Sequence, residues 1–288
     1  MNNFGILTLA TRNDYLKAIG FALSVRVSNP DVPIAVACPA NTTALVKSYF
    51  DITVEQNPNY RGFEQKIHLD EYSPFDTTFF FDSDILIFRS LEEIVVNWGK
   101  QPYLACGHYT TDGFSSFNQD RTKVLAKIGK GKLVTIDGAG HALFRKPDCK
   151  QIFDLARQIT ANYKEYAPGA RFADEDVLNI AMTLLDYQPA PYGDFFSRHL
   201  SAKKGTMDMD ASQGRCRFDA VVYDRLQEPH MMHFANNEAP FAHYRQLKLL
   251  YQKFGVDTSG LLKQALADFY INEIEWPLRG FIKKVLHK

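Results

Sequence analysis

The segment FFFDSDILIF, residues 79–88, places two carboxylates between two apolar runs. The runs are rich in aromatic and β-branched residues, which predicts buried strands. Buried strands do not ordinarily carry unpaired acids, because removing even one carboxylate from water is costly. Asp82 and Asp84, at the end of such a strand, therefore indicate a divalent cation that holds a phosphorylated ligand. The alternative is a solvated turn between the two strands of a hairpin.

Strand and helix patterns alternate before this segment. The predicted order is a strand at 5–10, a helix that begins near 14 and ends at 28, a strand at 33–38, a helix at 41–50, a strand at 52–55, a helix at 64–72 and the strand ending at 82. This alternation predicts an α/β fold with a mainly parallel sheet covered by helices. Such sheets bind ligands at the carboxyl ends of their strands, where Asp82 and Asp84 fall.

The alternation loosens in the rest of the chain. We predict strands at 101–106 and 133–136, an apolar run at 142–144, helices at 147–163, 174–185, 241–254 and 258–276, and a long loop region at 188–219. No repeat and no break in composition separates two independent domains. We therefore expect one catalytic domain over residues 1–255, followed by a C-terminal helical extension over 256–288.

Composition narrows the class of protein. The 288 residues carry 33 Lys and Arg against 33 Asp and Glu, so no global charge points to nucleic acid. The four cysteines are far apart and form no C-x-x-C pair, which predicts reduced thiols in a cytosolic protein. The N-terminus lacks the pattern of a signal peptide, and no apolar stretch approaches the roughly 18–20 residues of a membrane span. These features predict a cytoplasmic protein.

Further polar residues accompany the aspartate pair. Lys66 lies on the predicted helix that leads into the strand ending at Asp82. The segment DEDVLN, residues 174–179, begins a helix with three acids in its first turn. His233 begins a short segment near the end of the predicted catalytic domain. Three more residues lie at the carboxyl end of the first predicted strand: Thr8, Ala10 and Thr11.

With this ordered set, residues 4 to 245 resemble glycosyltransferases of the GT-A fold, most closely family 8, the group of glycogenin and the lipopolysaccharide galactosyltransferases. The resemblance rests on the D-x-D motif of residues 82–84, on Lys66, on residues 174–179 and on His233. It implies a Rossmann-like, mainly parallel central sheet flanked by helices, with C-terminal helices. It also implies a retaining hexosyltransferase that moves a sugar from a nucleoside diphosphate sugar, UDP-linked in this interpretation, to a glycan or glycolipid acceptor.

The resemblance implies roles for individual residues. Asp82, Asp84 and His233 would bind Mn²⁺ or Mg²⁺, and a mixed carboxylate and imidazole site suits Mn²⁺. The alternatives are a core histidine at 233 and a surface lysine at 66. The residues implied to contact the donor are Thr8, Ala10, Thr11, Tyr15, Lys66, Asp82, Ser83, Gly138, Ala139 and Gly140.

Two departures from the family pattern affect the chemistry. The family continues its histidine as H-F-x-G-x-x-K-P-W, and here Ala239 stands at the lysine position. His243 and Arg245 are nearby candidates for the missing cation. Glu175 stands where the family commonly has glutamine, beside the reacting carbon of the donor. As catalytic residues, Asp174 would bind sugar hydroxyls and Glu175 would stabilise an oxocarbenium-like transition state or form a covalent intermediate. The alternative is that both acids only favour a helix N-terminus.

Two other classes of protein remain open. Haloacid dehalogenase-like phosphatases also use D-x-D, but their motif continues with Thr or Val where this chain has Leu86. A sugar-nucleotide-binding protein with decayed catalysis is the other alternative, favoured by Ala239. The basic, amphipathic tail at 276–288 could contact the inner face of a membrane and favour a lipid-linked acceptor, or form a docked helix with a solvated basic face.

Overall fold

The computed structural model describes residues 4–137, 139–193, 195–198, 201–222, 224–235, 239–275 and 277–278. The chain divides into two compact units. The first unit takes its residues from 1–12, 33–82 and 92–193, and the second from 13–32, 83–91 and 194–288. Among the helices of these described segments, none combines the length and the apolar character needed to cross a bilayer.

The regular elements are short and numerous. The strands are β1 (Phe4–Leu9), β2 (Ile34–Cys38), β3 (Ile52–Glu55), β4 (Thr77–Phe81), β5 (Ile85–Ile87), β6 (Tyr103–Leu104), β7 (Gly107–Thr110), β8 (Leu133–Ile136), β9 (His141–Arg145), β10 (Phe196–Arg198), β11 (Asp208–Asp210), β12 (Arg215–Asp219), β13 (Leu226–Gln227) and β14 (Met231–His233). The α-helices are α1 (Tyr15–Ser28), α2 (Ala40–Val46), α3 (Leu69–Tyr72), α4 (Glu92–Asn97), α5 (Arg121–Ile128), α6 (Lys150–Ala161), α7 (Tyr163–Tyr166), α8 (Asp174–Leu184), α9 (Pro240–Lys253) and α10 (Leu261–Tyr270).

A six-stranded sheet organises the first unit, in the order β3-β2-β1-β4-β9-β6. The pairs β3–β2, β2–β1 and β1–β4 are parallel, while β9 runs antiparallel to both β4 and β6. Every residue of β4 is buried, as expected of a central strand covered on both faces. The predicted mainly parallel sheet is therefore confirmed, and Asp82 directly follows the carboxyl end of β4.

Helices α6 and α8 pack together in the first unit, and α8 also packs on β8. Apolar residues of these helices and of the sheet form one core, which includes Phe80, Phe144, Phe153 and Val177. This packing fixes the N-terminus of α8, where Asp174 begins the helix.

In the second unit, β5 pairs with β14, and β14 pairs with β10. Helix α1 packs on β5 and on α9, and α9 packs on α10. The contact between α1 and α9 is close at Gly20, where an added Cβ would lie 2.0 Å from Leu247 Cδ2. A side chain larger than hydrogen at residue 20 therefore requires Leu247 to move.

Several predicted elements have different bounds in the structure. The helix predicted at 41–50 ends at Val46, and most of the helix predicted at 64–72 is a 3₁₀-helix over Gly62–His68. The helix predicted at 147–163 covers only Lys150–Ala161, and the strand predicted at 101–106 covers only Tyr103–Leu104. The helix predicted at 258–276 is α10, followed by a π-helix over Ile271–Glu275.

The prediction of a long loop over 188–219 is wrong in part, because β10, β11 and β12 lie there. Strand β10 exists through its pairing with the distant β14, which a local pattern does not reveal. Of the predicted amphipathic tail at 276–288, all but residues 277–278 lie outside the described residues. The domain boundary at residue 255 stays a prediction.

Candidate active site

In the first unit, Lys66 joins two of the predicted site carboxylates. Its Nζ donates a hydrogen bond to Asp82 Oδ2 at 2.8 Å and lies 3.5 Å from Asp174 Oδ2. The Lys66 side chain is only 12% exposed, so the alternative of a solvated surface lysine is excluded. Burial raises the pKa of Asp174, and the Lys66 charge opposes that rise.

The turn before β9 also lies against this cluster. Ala139, in a left-handed backbone conformation, accepts a hydrogen bond from Lys66 Nζ at 3.4 Å through its carbonyl. The Gly140 carbonyl accepts one from the Asp82 backbone N–H at 2.8 Å. The structure thus brings the predicted residues Ala139 and Gly140 to Lys66 and Asp82, while Gly138 lies outside the described residues.

Glu175 follows Asp174 in the first turn of α8. Burial, together with the charges of Asp176 and Asp174, raises the pKa of Glu175 to about 7. The positive end of the helix dipole favours acids at this position. The raised pKa nevertheless shows that its environment disfavours the charged form near neutral pH. Perturbed carboxyl groups of this kind are typical of catalytic sites.

In the second unit, His233 faces the other predicted aspartate. Antiparallel pairing of β14 with β5 places His233 opposite Ile85, next to Asp84 in the chain. His233 Nε2 lies 3.1 Å from Asp84 Oδ1. Burial alone would raise the pKa of Asp84, but the charge and hydrogen bond of His233 and the charge of Lys17 lower it to about 2. Asp84 is therefore ionised at neutral pH. The ring of His233 is buried, as expected of a core histidine. It nevertheless faces the Asp84 carboxylate and is not surrounded by apolar residues alone.

A buried ion pair lies in the same unit as Asp84 and His233, and the sequence did not predict it. Lys17 on α1 lies 2.7 Å from Asp268 on α10, with side chains 8% and 9% exposed. A lysine within a helix of buried residues was the available signal. Burial, with the nearby charge of Lys17, lowers the pKa of His243 to about 3. His243 is therefore neutral, and the candidate cation at this residue is wrong.

Asp82, Asp84 and His233 each offer one ligand atom, and these atoms lie within 4.8 Å of one another. Ser83, between the two aspartates, is buried. Two carboxylate oxygens and an imidazole nitrogen form a donor set that suits a divalent ion such as Mn²⁺. The residues present therefore fit the metal that the sequence predicts.

The other residues predicted to contact the donor lie at or just beyond β1. Thr8 is fully buried within β1, and its Oγ1 donates to the Leu9 carbonyl at 3.4 Å. Ala10 is buried just after the strand, and Thr11 is exposed. Tyr15 is half-buried at the first position of α1. Their roles toward a nucleotide stay predictions.

No protein-family model matches this chain, and no curated protein matches it. Solved structures do match. The structure is similar to that of the galactosyltransferase LgtC in complex with donor and acceptor sugar analogs, with a TM-score of 0.55 and 18% sequence identity. That match covers 86% of this chain and 95% of LgtC.

Two further glycosyltransferases are similar at lower sequence identity. The bifunctional glycosyltransferase WbbM matches with a TM-score of 0.56 and 10% identity over 91% of this chain and 51% of WbbM. The apo form of the glycosyltransferase GlyE from Streptococcus pneumoniae matches with a TM-score of 0.55 and 12% identity, over 93% of this chain and 63% of GlyE.

These matches define the class of fold. The chain has the GT-A glycosyltransferase fold, in which a mainly parallel sheet is flanked by helices. Within that fold it resembles family 8, as the sequence predicts. All three of these similar structures are glycosyltransferases.

Proposed function

We propose that this protein is a metal-dependent glycosyltransferase that moves a sugar from a nucleoside diphosphate sugar, UDP-linked, to a glycan or glycolipid acceptor with retention of configuration. The observation that carries the proposal is that ligand atoms of Asp82, Asp84 and His233 lie within 4.8 Å of one another in a GT-A fold. We also propose a cytoplasmic location, with peripheral contact at the inner face of a membrane.

Asp82, Asp84 and His233 would hold the metal, which when bound neutralises charge on the departing diphosphate. The ionised state of Asp84 supports this role, because a metal ligand must be deprotonated to bind. The charges of His233 and Lys17 keep the carboxyl group ionised. The site is thus ready for a cation at neutral pH.

Lys66 would contact the donor from the other side of Asp82. It is held between Asp82 and Asp174, so its ammonium group is fixed rather than free to rotate. A fixed cation can bind a diphosphate oxygen or a sugar hydroxyl with little loss of side-chain entropy. Since His243 is neutral, Lys66 and Arg245 remain as candidates for the charge that Ala239 does not supply.

Asp174 and Glu175 would face the donor sugar. A carboxyl group with a pKa of about 7 is half ionised at neutral pH. Its ionised form can stabilise positive charge at the anomeric carbon or attack that carbon from the face opposite the leaving group. One solved structure similar to this chain is an active-site variant of LgtC that carries glutamate in place of glutamine. We propose that Glu175 likewise occupies an active-site position here.

The proposal is tested by titrating a panel of UDP- and GDP-sugars into the protein by calorimetry, with and without Mn²⁺. We expect one nucleotide sugar to bind only with the metal and to release its nucleoside diphosphate over time. A phosphatase would instead release phosphate, and a decayed binding protein would bind the donor without turnover. Absence of metal-dependent binding across the panel would refute the proposal.

A further inference from the structure

The first unit carries an exposed aromatic and cationic surface next to its catalytic carboxylates. We call it the Phe63–Arg171 platform, made of Phe63, Phe117 and Arg171. We infer that this platform binds an acceptor glycan that carries an anionic group, a carboxylate or a phosphate. The inference rests on the proposed function, because it names the acceptor class for the same site.

Phe63 lies on the same edge of its 3₁₀-helix as Lys66. Residues three apart in a 3₁₀-helix are eclipsed, and Phe63 and Lys66 are three apart in the 3₁₀-helix Gly62–His68. Lys66 contacts Asp82 and Asp174, so Phe63 projects from the same side as the proposed donor site. Its side chain is 45% exposed and is therefore accessible to a ligand.

Phe117 and Arg171 continue the surface from Phe63. The rings of Phe63 and Phe117 meet edge to face with centroids 5.6 Å apart. The Arg171 guanidinium carbon lies 5.5 Å from the centroid of the Phe117 ring. The Arg171 backbone N–H also donates to the Phe117 carbonyl at 3.0 Å. The segments that carry Phe117 and Arg171 are therefore fixed to each other.

Hydrogen bonds hold the segment that carries Phe117 against α8, the helix that begins with Asp174 and Glu175. Ser115 Oγ donates to Asp176 Oδ2 at 2.9 Å, and it accepts from the backbone N–H groups of Phe117 and Gln119. Asp176 directly follows Glu175 on α8. The platform is thus built in advance beside Glu175, and binding does not have to order the loop.

The chemistry of the platform selects the ligand. The face of an aromatic ring is negative, so it attracts the C–H bonds on one face of a pyranose ring. Arg171 presents planar N–H donors that match carboxylate and phosphate oxygens. Among the described residues, no carboxylate forms an ion pair with Arg171. Arg121 also acts on this region, because its charge lowers the pKa of Glu175 against the larger effect of burial. An anionic sugar fits two arginines better than a neutral one does.

The test measures binding of methyl glucoside, methyl galactoside, their uronic acid forms and their 6-phosphates by calorimetry. We expect at least one anionic glycoside to bind about 10- to 100-fold more tightly than its neutral counterpart, the range for a hydrogen bond to a charged group. The uronate and phosphate arms identify which anion is preferred. The inference is overturned if no anionic glycoside binds more tightly than its neutral counterpart, or if none binds.

Variants separate the platform from a general charge effect. Arg171→Gln should remove most of the preference for the anionic glycoside, and Phe63→Leu should weaken neutral and anionic glycosides alike. Arg217→Gln and Phe254→Leu are matched controls, since both residues are exposed in the second unit. Equal losses in the controls would contradict the inference.

A second titration of the same protein, with UDP and Mn²⁺, tests the proposed function independently of the acceptor. Failure of UDP binding with retained, Arg171-dependent glycoside binding would contradict only the donor assignment. Successful UDP binding without a preference for anionic glycosides would contradict only the acceptor assignment.

Discussion

Glu175→Gln is the substitution for which the structure predicts the most specific outcome. The pKa of Glu175 is about 7 in the folded protein against 4.5 for an unperturbed glutamate, because burial and the charges of Asp176 and Asp174 disfavour ionisation. The folded state therefore holds the proton more tightly than the unfolded state does. Stability contributed by the neutral group is complete below pH 4.5 and is lost as the pH rises from 4.5 through 7.

The size of the effect follows from the difference in pKa. A shift of about 2.5 pKa units corresponds to about 3 kcal/mol of unfolding free energy. Glutamine has nearly the same shape and carries no charge, so it avoids this loss. We expect Glu175→Gln to gain about 2 to 3 kcal/mol of stability relative to wild type between pH 5 and pH 8.

Urea unfolding of both proteins at pH 5 and pH 8 measures this difference. The exposed glutamate Glu93, on α4, provides the control variant Glu93→Gln, for which no comparable change with pH is expected. A stability difference between Glu175→Gln and wild type that is the same at both pH values would refute the electrostatic reasoning. The same variant should also lose the step near pH 7 in the rate of sugar transfer, if the ionised carboxylate acts on the donor.

Two further predictions concern the lysines. Lys17→Met should destabilise the protein by about 3–5 kcal/mol in urea unfolding, because it leaves Asp268 buried without its cation. The double variant Lys17→Met with Asp268→Leu should recover most of that loss. A double variant as unstable as Lys17→Met would contradict this reasoning. Lys66→Met should raise the calorimetric dissociation constant of the donor about tenfold or more, since a charged hydrogen bond is removed, whereas the exposed Lys47→Met should leave it unchanged. Equal affinity for the donor in Lys66→Met and wild type would remove Lys66 from the donor site.

The parts of the fold that the sequence predicts well are those whose signals are local. Residues 79–81 form a buried aromatic run, and the three acids at 174–176 mark a helix start, so β4 and α8 lie where they are predicted. The two aspartates that follow β4 are predictable for the same reason. Burial on both faces and helix N-terminal acids leave clear patterns in sequence.

The features of the fold and site that the sequence does not predict depend on residues far apart in the chain. Strand β10 forms because Ser197 pairs with Met232, far along the chain. The Lys17–Asp268 pair joins helices at opposite ends of the sequence, and neither residue alone identifies its partner. The neutral state of His243 follows from its burial, which only the folded structure reveals.

The most direct test of the central claim is a titration of Mn²⁺ and UDP into wild type and Asp84→Asn, followed by electron paramagnetic resonance of the bound metal. Asparagine keeps the shape of the side chain and removes the negative charge that the proposed metal-binding role of Asp84 requires. The account predicts that wild type binds Mn²⁺ with UDP, and that Asp84→Asn loses this binding by about 10- to 100-fold while still unfolding cooperatively in urea. Unchanged Mn²⁺ and UDP binding in Asp84→Asn would contradict the assignment of the metal site.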